Sequence, residues 1–428
     1  MKVRLRSEDV PALVLAAAIP LLFLHVRYQA HASVGPLDVY GSDIAAAAAV
    51  LAGLIAARRH GLGGLRAGRP LWIATAALLS YWTLTCFWRP FEAFSTHLVT
   101  DLKVIEYALL APAAALILRR RRDLDIFLVG VIAWAVAATA WGVLQFAGVV
   151  VEFEGKRPGQ REVSFLGIHD FAALSGMALA IGLAALATNR GGRLFLAALA
   201  AGSIGSMLAA SIFEYSGVIA AAAVICLLGR RASTLTARRT VAIWALTIVT
   251  GFGVLALRSY DLTHFLAFLG IKPAPADTSS DVQTGSQRTM LGYIGVRIWW
   301  DHPILGVGFE RSSNRYQPYL ADAKKRYPGQ PDQAYPSAEH PWGVQNFWVQ
   351  ALADTGIIGL ALLLTVFGIG LSLAWRAGPD TFLVAAAAGI IVVAAGTWNA
   401  IGIVAGVPLE AVTWLGLGLA AVARRGLA

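Results

Sequence analysis

Charge is scarce in this sequence: 14% of its 428 residues are Asp, Glu, Lys or Arg, while 57% are hydrophobic. A soluble domain carries roughly 25% charged and 45–50% apolar residues. An imbalance of this size excludes an ordinary water-soluble fold and calls for lipid around the chain. Cysteine is nearly lacking as well. Cys86 and Cys226 both fall inside apolar stretches, which excludes a disulfide framework and leaves them as small packing residues. No clear internal repeat is visible, and repeats are what many transporter folds are built from.

What is abundant is long apolar runs. A membrane-crossing helix needs about 20 mostly apolar residues. By that measure spans are expected near 10–27, 43–57, 70–87, 98–118, 124–149, 164–187, 194–211, 213–229, 240–257, 346–374, 381–398 and 407–423. The predicted fold is all-α, a polytopic transmembrane bundle of about twelve spans. It divides into nine spans over 1–257, a large, partly helical periplasmic loop over 258–345, and three spans over 346–428. Alanine- and glycine-rich runs such as 45–57 suit close helix approach in lipid. The net charge of +10 is distributed by side, which argues for membrane topology over nucleic-acid binding. One alternating set of segments, from Lys2 through Arg119–Arg122 to Arg425, holds 20 basic and 5 acidic residues. Placing that set in the cytoplasm puts both termini there and turns 151–163 and 258–345 outward. The first span reads as a retained helix; the alternative, a signal cleaved near Ala30-His31-Ala32, leaves the downstream orientation unchanged.

A bundle of this kind could transport, conduct or act on a lipid. Ionisable residues inside the spans are few: Asp101, Lys103, Glu106, His169, Asp170 and Glu214. All lie towards the outer ends, which points to a site open to the outer face. The 88-residue segment 258–345 is too long for a structureless connection without function. Within it, Ser286–Asp301 predicts a helix with Leu291, Ile294 and Ile298 on one face and Trp299 and Trp300 suited to the bilayer surface. Pro303 ends that helix and Gly306 and Gly308 make a tight turn. Arg311, Arg315, Lys324, Lys325 and Arg326 follow, interleaved with Tyr316, Tyr319 and Tyr327, a mixture suited to sugars and phosphates or to a solvated loop.

The stretch from Arg288 through DHPILGVGF to VQNFWVQALADTGIIGLALLL resembles the signature region of the O-antigen ligase and O-antigen polymerase superfamily. In that pattern an arginine opens an amphipathic helix, a Pro-x-x-Gly-x-Gly turn follows, and a His-Asn pair precedes a hydrophobic helix with a Thr-Gly-x-x-Gly-like element. That element here is Thr355 to Gly359. Arg161 in REVSFLGIHDFAALSG is similar to the arginine that precedes a mid-chain helix in the family. The resemblance implies a GT-C-like inner-membrane glycosyltransferase acting on the periplasmic face. Its donor would be an undecaprenyl diphosphate-linked glycan and its acceptor a sugar hydroxyl: a lipid A core sugar for a ligase, another repeat unit for a polymerase of O-antigen, capsule or exopolysaccharide.

A departing diphosphate gathers negative charge, which bidentate, permanently charged guanidinium groups stabilise. Arg161 and Arg288 are the candidates, with Lys156 and Arg157 as substitutes for Arg161, and Arg311 and Arg315 as substrate contacts. No metal site and no cofactor are expected. Two departures stand out. Gln345 occupies the position of the family histidine before Asn346, and an amide cannot serve as a general base; His340, beside Glu339, is the replacement candidate. Ser216, in Glu214-Tyr215-Ser216-Gly217, stands where the family commonly has an arginine. The rival readings are a transporter or flippase, and an inactive member that only binds lipid-linked glycan.

Overall fold

The computed structural model describes residues 6–35, 37–88, 94–151, 153, 159–273, 284–328, 330–340, 342–376, 380–403 and 407–427. Sixteen α-helices follow in chain order among them. The first half contains α1 (Val10–Leu22), α2 (Gly41–His60), α3 (Arg69–Thr85), α4 (Phe94–Ala108), α5 (Leu110–Ile117), α6 (Arg121–Phe146), α7 (Ile168–Ala187) and α8 (Arg193–Ala209). The second contains α9 (Ile212–Arg231), α10 (Ala237–Leu257), α11 (Ser259–Phe268), α12 (Thr284–Asp301), α13 (Gln317–Arg326), α14 (Phe347–Trp375), α15 (Thr381–Thr397) and α16 (Val407–Arg425). Seven of these, α2, α6, α7, α9, α10, α14 and α15, are long and apolar enough to cross a membrane. The chain is therefore a helical integral membrane protein.

Every expected span coincides with a helix, although several helices are short. The expected span 98–118 is broken into α4 and α5, and 10–27 ends at Leu22. After it comes an element the sequence reading missed, an antiparallel hairpin of β1 (His31–Val34) and β2 (Leu37–Tyr40). Gly35, at φ 62°, turns the chain between them, a backbone state glycine adopts without steric cost.

Small residues set the helix packing. In α7 (IHDFAALSGMALAIGLAALA) every residue except His169 and Leu186 is buried, and α8, α9 and α15 pack around it. Helices α9 and α15 approach closely: a Cβ added at Gly396 would lie 2.5 Å from the Cα of Gly217. Only paired glycines permit that spacing, which gains dispersion contacts where lipid offers no hydrophobic drive.

The basic segments meet one another. Arg120 pairs with Glu8, Asp9 and Asp123, and Arg121 and Arg190 share Asp380. Asp123 and Asp125 have Asp-x-Asp spacing, but they belong to this basic side, where Arg120 holds Asp123.

Candidate functional site

The segment before α14 is fastened to the bundle by two motifs that interlock. In the turn Pro303–Gly308, the amides of Val307 and Gly308 donate to the carbonyls of Ala353 and Asp354, at 3.1 and 2.7 Å. In return the amide of Ile357 donates to Pro303 at 2.9 Å. The exchange needs a break in α14, which Gly356 provides at φ 64°. A Cβ there would sit 2.1 Å from the carbonyl oxygen of Ile304, and one at Gly306 would sit 2.3 Å from Asp354 backbone atoms. Buried Asp354 completes the joint by accepting the amides of Ser312 (2.7 Å) and Glu310 (3.1 Å). The glycines shared with the family pattern thus join α12 and its following turn to α14.

On this frame α12 is held by its apolar face. Leu291, Ile294 and Ile298 pack with Tyr316, Tyr319, Ala323 and Tyr335 of the same segment. The stripe expected to lie on the bilayer is used inside the protein, while Trp300 remains 68% exposed. Tyr319, whose hydroxyl donates to Asp301 at 2.7 Å, has its pKa pushed up to about 12 by burial and then by that carboxylate.

The opposite side of α12 presents Arg288. It lines a cavity of about 410 Å3 together with Arg161, Arg258, His169, Gln345 and Asn346. The Nε of Arg288 donates to Oε1 of Gln345 at 3.2 Å, and its Nη2 lies 2.9 Å from Nε2 of His169. That arrangement fixes the guanidinium plane. It also identifies Nε2 as the imidazole acceptor, since guanidinium can only donate. Arg258, which caps α10, is paired with Asp261 at 2.8 Å. Burial and then the neighbouring Arg161 and Arg258 bring the pKa of Arg288 down to about 10, so it stays charged at neutral pH. Burial and Arg161 also lower that of Arg258. Three cations are held close together here at an electrostatic cost that an anion would relieve.

Helix ends reinforce this field. Ile168 and His169 at the start of α7, Ser211 to Phe213 at the start of α9, and Asn346 at the start of α14 all line the cavity. Each such terminus carries partial positive charge and unsatisfied amides. Ser211 caps α9 by accepting from Glu214, and Asn346 caps α14 by accepting from Val349 at 3.1 Å. The Nδ2 of Asn346 also reaches Asn399, at 3.4 Å.

Two further spaces adjoin this cavity. Through Ile212 it meets an apolar groove of about 480 Å3 between α9 and α10, lined by Trp244, Ile248, Phe252 and Leu255. Across Arg288, His169 and Gln345 lies a second cavity of about 420 Å3, where Glu310, Ser313 and Gln350 supply polar groups.

The structure therefore brings together four of the sequence-derived site residues: Arg161, Arg288, Gln345 and Asn346. Arg311 is buried beneath the turn, its Nη2 donating to the carbonyl of Cys86 at 2.9 Å. Arg315 lines a separate cavity of about 550 Å3 with Trp88, His302 and Tyr319. His340 is exposed, its ring stacked with Trp342 at 6.0 Å, and it lines neither cavity that contains Arg288. Lys156 and Arg157 lie outside the described residues. Ser216 faces the apolar groove and donates to the carbonyl of Phe213 at 2.7 Å. The sequence reading missed Arg258 and Asp354, and it noted His169 only as an ionisable group. Their signals were an arginine directly after an apolar run on the acidic side, and a carboxylate within one.

An arginine-rich cavity at converging helix starts thus adjoins an apolar groove between two membrane helices. Residues 176–364 match the family model described as O-antigen ligase, a stretch that includes every element of the cavity except Arg161, Ile168, His169 and Asn399. Over these residues the chain is similar to the O-antigen ligase family, which supports a membrane enzyme of the O-antigen ligase or polymerase type. No curated protein matches the chain.

Proposed function

We propose that the protein transfers a preassembled glycan from an undecaprenyl diphosphate-linked donor to a sugar hydroxyl on the outer face of the inner membrane. The supporting observation is the convergence of Arg161, Arg258 and Arg288 with the starts of α7, α9 and α14 at the head of an apolar groove. The diphosphate fits the cationic cavity and the polyprenyl chain fits the groove. Charge that grows on the leaving diphosphate meets donors already fixed in place, as Arg288 is by Gln345 and His169. Where the family pattern leads one to expect an arginine at Ser216, the third guanidinium comes from Arg258. The three guanidinium groups supply the charge a metal would otherwise bring, so the proposed reaction is metal-independent. Gln345, which cannot take a proton, acts as a positioning residue for Arg288.

In this reading the chain has about twelve spans, both termini are cytoplasmic, and 258–345 is the periplasmic loop. Ligase and polymerase share this chemistry and differ in the acceptor; a lipid A core sugar is the ligase acceptor. His340, on the same loop, lines neither cavity that contains Arg288.

The test is transfer by purified protein in nanodiscs with chelator present, using undecaprenyl diphosphate-linked saccharides and separately supplied acceptors. Arg288→Lys keeps charge but loses the planar fork, and it should lower transfer on the order of 100-fold. Transfer to a lipid core sugar identifies a ligase, and a ladder of extended donor glycan identifies a polymerase. Movement of labelled saccharide across the membrane without any transfer would replace this reading with a flippase.

A further inference from the structure

The wall formed by Arg288, His169 and Gln345 separates two spaces of different chemistry. On one side are the cations already described. On the other is the cavity of about 420 Å3 lined by Glu310, Ser313, Gln350 and the backbone at Gly343 and Gly402. That volume falls within the roughly 300–1,000 Å3 usual for small-ligand sites. Its lining combines amides, a hydroxyl and one carboxylate, the groups that bind sugar hydroxyls.

Glu310 is unusual in two respects. Its backbone is left-handed, with φ 59°, a state costly for a side chain with a Cβ. That state is imposed by the joint described above, where buried Asp354 accepts the Glu310 amide at 3.1 Å. Its Oε2 is buried and forms no hydrogen bond among the described residues; Nδ1 of buried His97, on α4, lies 3.5 Å away. The carboxylate thus sits on a strained backbone with His97 beside it, at a residue that lines a polar cavity, and strain of this kind gathers at functional sites.

We propose that this second cavity is the acceptor site and that Glu310 is the general base of the transfer, a proposal that rests on the glycan-transfer reading above. The acceptor hydroxyl enters beside Glu310 while the donor diphosphate occupies the arginine cavity. The hydroxyl oxygen forms a bond to the anomeric carbon, and the bond from that carbon to the phosphate oxygen breaks. The electron pair leaves with the diphosphate, which the guanidinium groups hold. The hydroxyl proton passes to the Glu310 carboxylate and then to solvent. His97 is a positioning residue for that carboxylate. The catalytic base is thus not on the 337–342 stretch that carries His340. It sits two residues beyond the Gly308 turn, fixed to the bundle by Asp354.

Four variants test this in nanodiscs: Glu310→Gln, Glu310→Gly, His340→Ala and Arg288→Ala. Glu310→Gln should lower kcat by about 100-fold or more, with binding of undecaprenyl diphosphate within threefold of wild type. That retained binding also shows that the variant is folded. Glu310→Gly suits the left-handed backbone and vacates the carboxylate position; added formate should restore part of its turnover, and none in Arg288→Ala. Glu310→Gln turning over within threefold of wild type would overturn the proposal, as would loss of turnover on His340→Ala but not on Glu310→Gln. Absence of formate rescue together with lost undecaprenyl diphosphate binding would overturn it too, since Glu310 would then be structural. Wild type that transfers to no acceptor would instead overturn the transferase reading itself.

Discussion

Asp354 shows how one side chain can be structural and yet decide the position of the chemistry. A carboxylate inside an apolar span is usually a functional candidate, because the bilayer penalises it. Here both oxygens accept backbone amides, from Ser312 and Glu310, so the group organises the turn that follows α12. Asp354→Ala would leave two buried amides without acceptors, at a cost of about 1–3 kcal/mol each. The expected outcome is a lower melting temperature in detergent and faster proteolysis within 309–345, with the rest of the bundle intact. Asp354→Asn keeps one acceptor oxygen and should lie between the two. A melting temperature within one degree of wild type for Asp354→Ala would show that the amides find other partners.

At the scale of helices, legibility followed the strength of the pattern. Long apolar runs located every bundle helix, and the spacing of Leu291, Ile294 and Ile298 located α12 and its buried face. What that spacing could not give was the partner: the same stripe suits a lipid surface or a cluster of tyrosines, and tertiary contacts decide between them. The hairpin after α1 escaped because its strands are four residues each, too short for a period-2 signal. Within the site, Arg288 and Asn346 were legible from a motif. Arg258 was not, since its role arises only when the end of α10 meets the start of α7, a junction no local pattern encodes. The groove between α9 and α10 carries its own prediction. Ile248→Trp would fill space beside Trp244 and Phe252. It should raise KM several-fold for a donor with a full-length polyprenyl chain and leave a short-chain analogue little affected. An equal effect on both donors would show that the tail runs elsewhere.

For the molecule as a whole, the distribution of charge and the convergence of helix starts agree on two unlike faces. Ala232, between α9 and α10, lies on the basic side; Ala338 lies on the long loop; both are exposed. The native cysteines, Cys86 and Cys226, are buried and give little background. A membrane-impermeant maleimide should label Ala338→Cys in right-side-out vesicles and Ala232→Cys only after lysis; the reverse order would invert the proposed topology. The joint between Pro303–Gly308 and the break in α14 has a consequence for how such proteins diversify. Its backbone bonds close a loop at its base, so the exposed parts of the chain between Ser313 and Gly343 can change while Tyr316, Tyr319, Ala323 and Tyr335 keep their packing on α12. Glycan preference could then be rewritten by exchanging those parts alone, much as an interchangeable bit is fitted to a fixed drill.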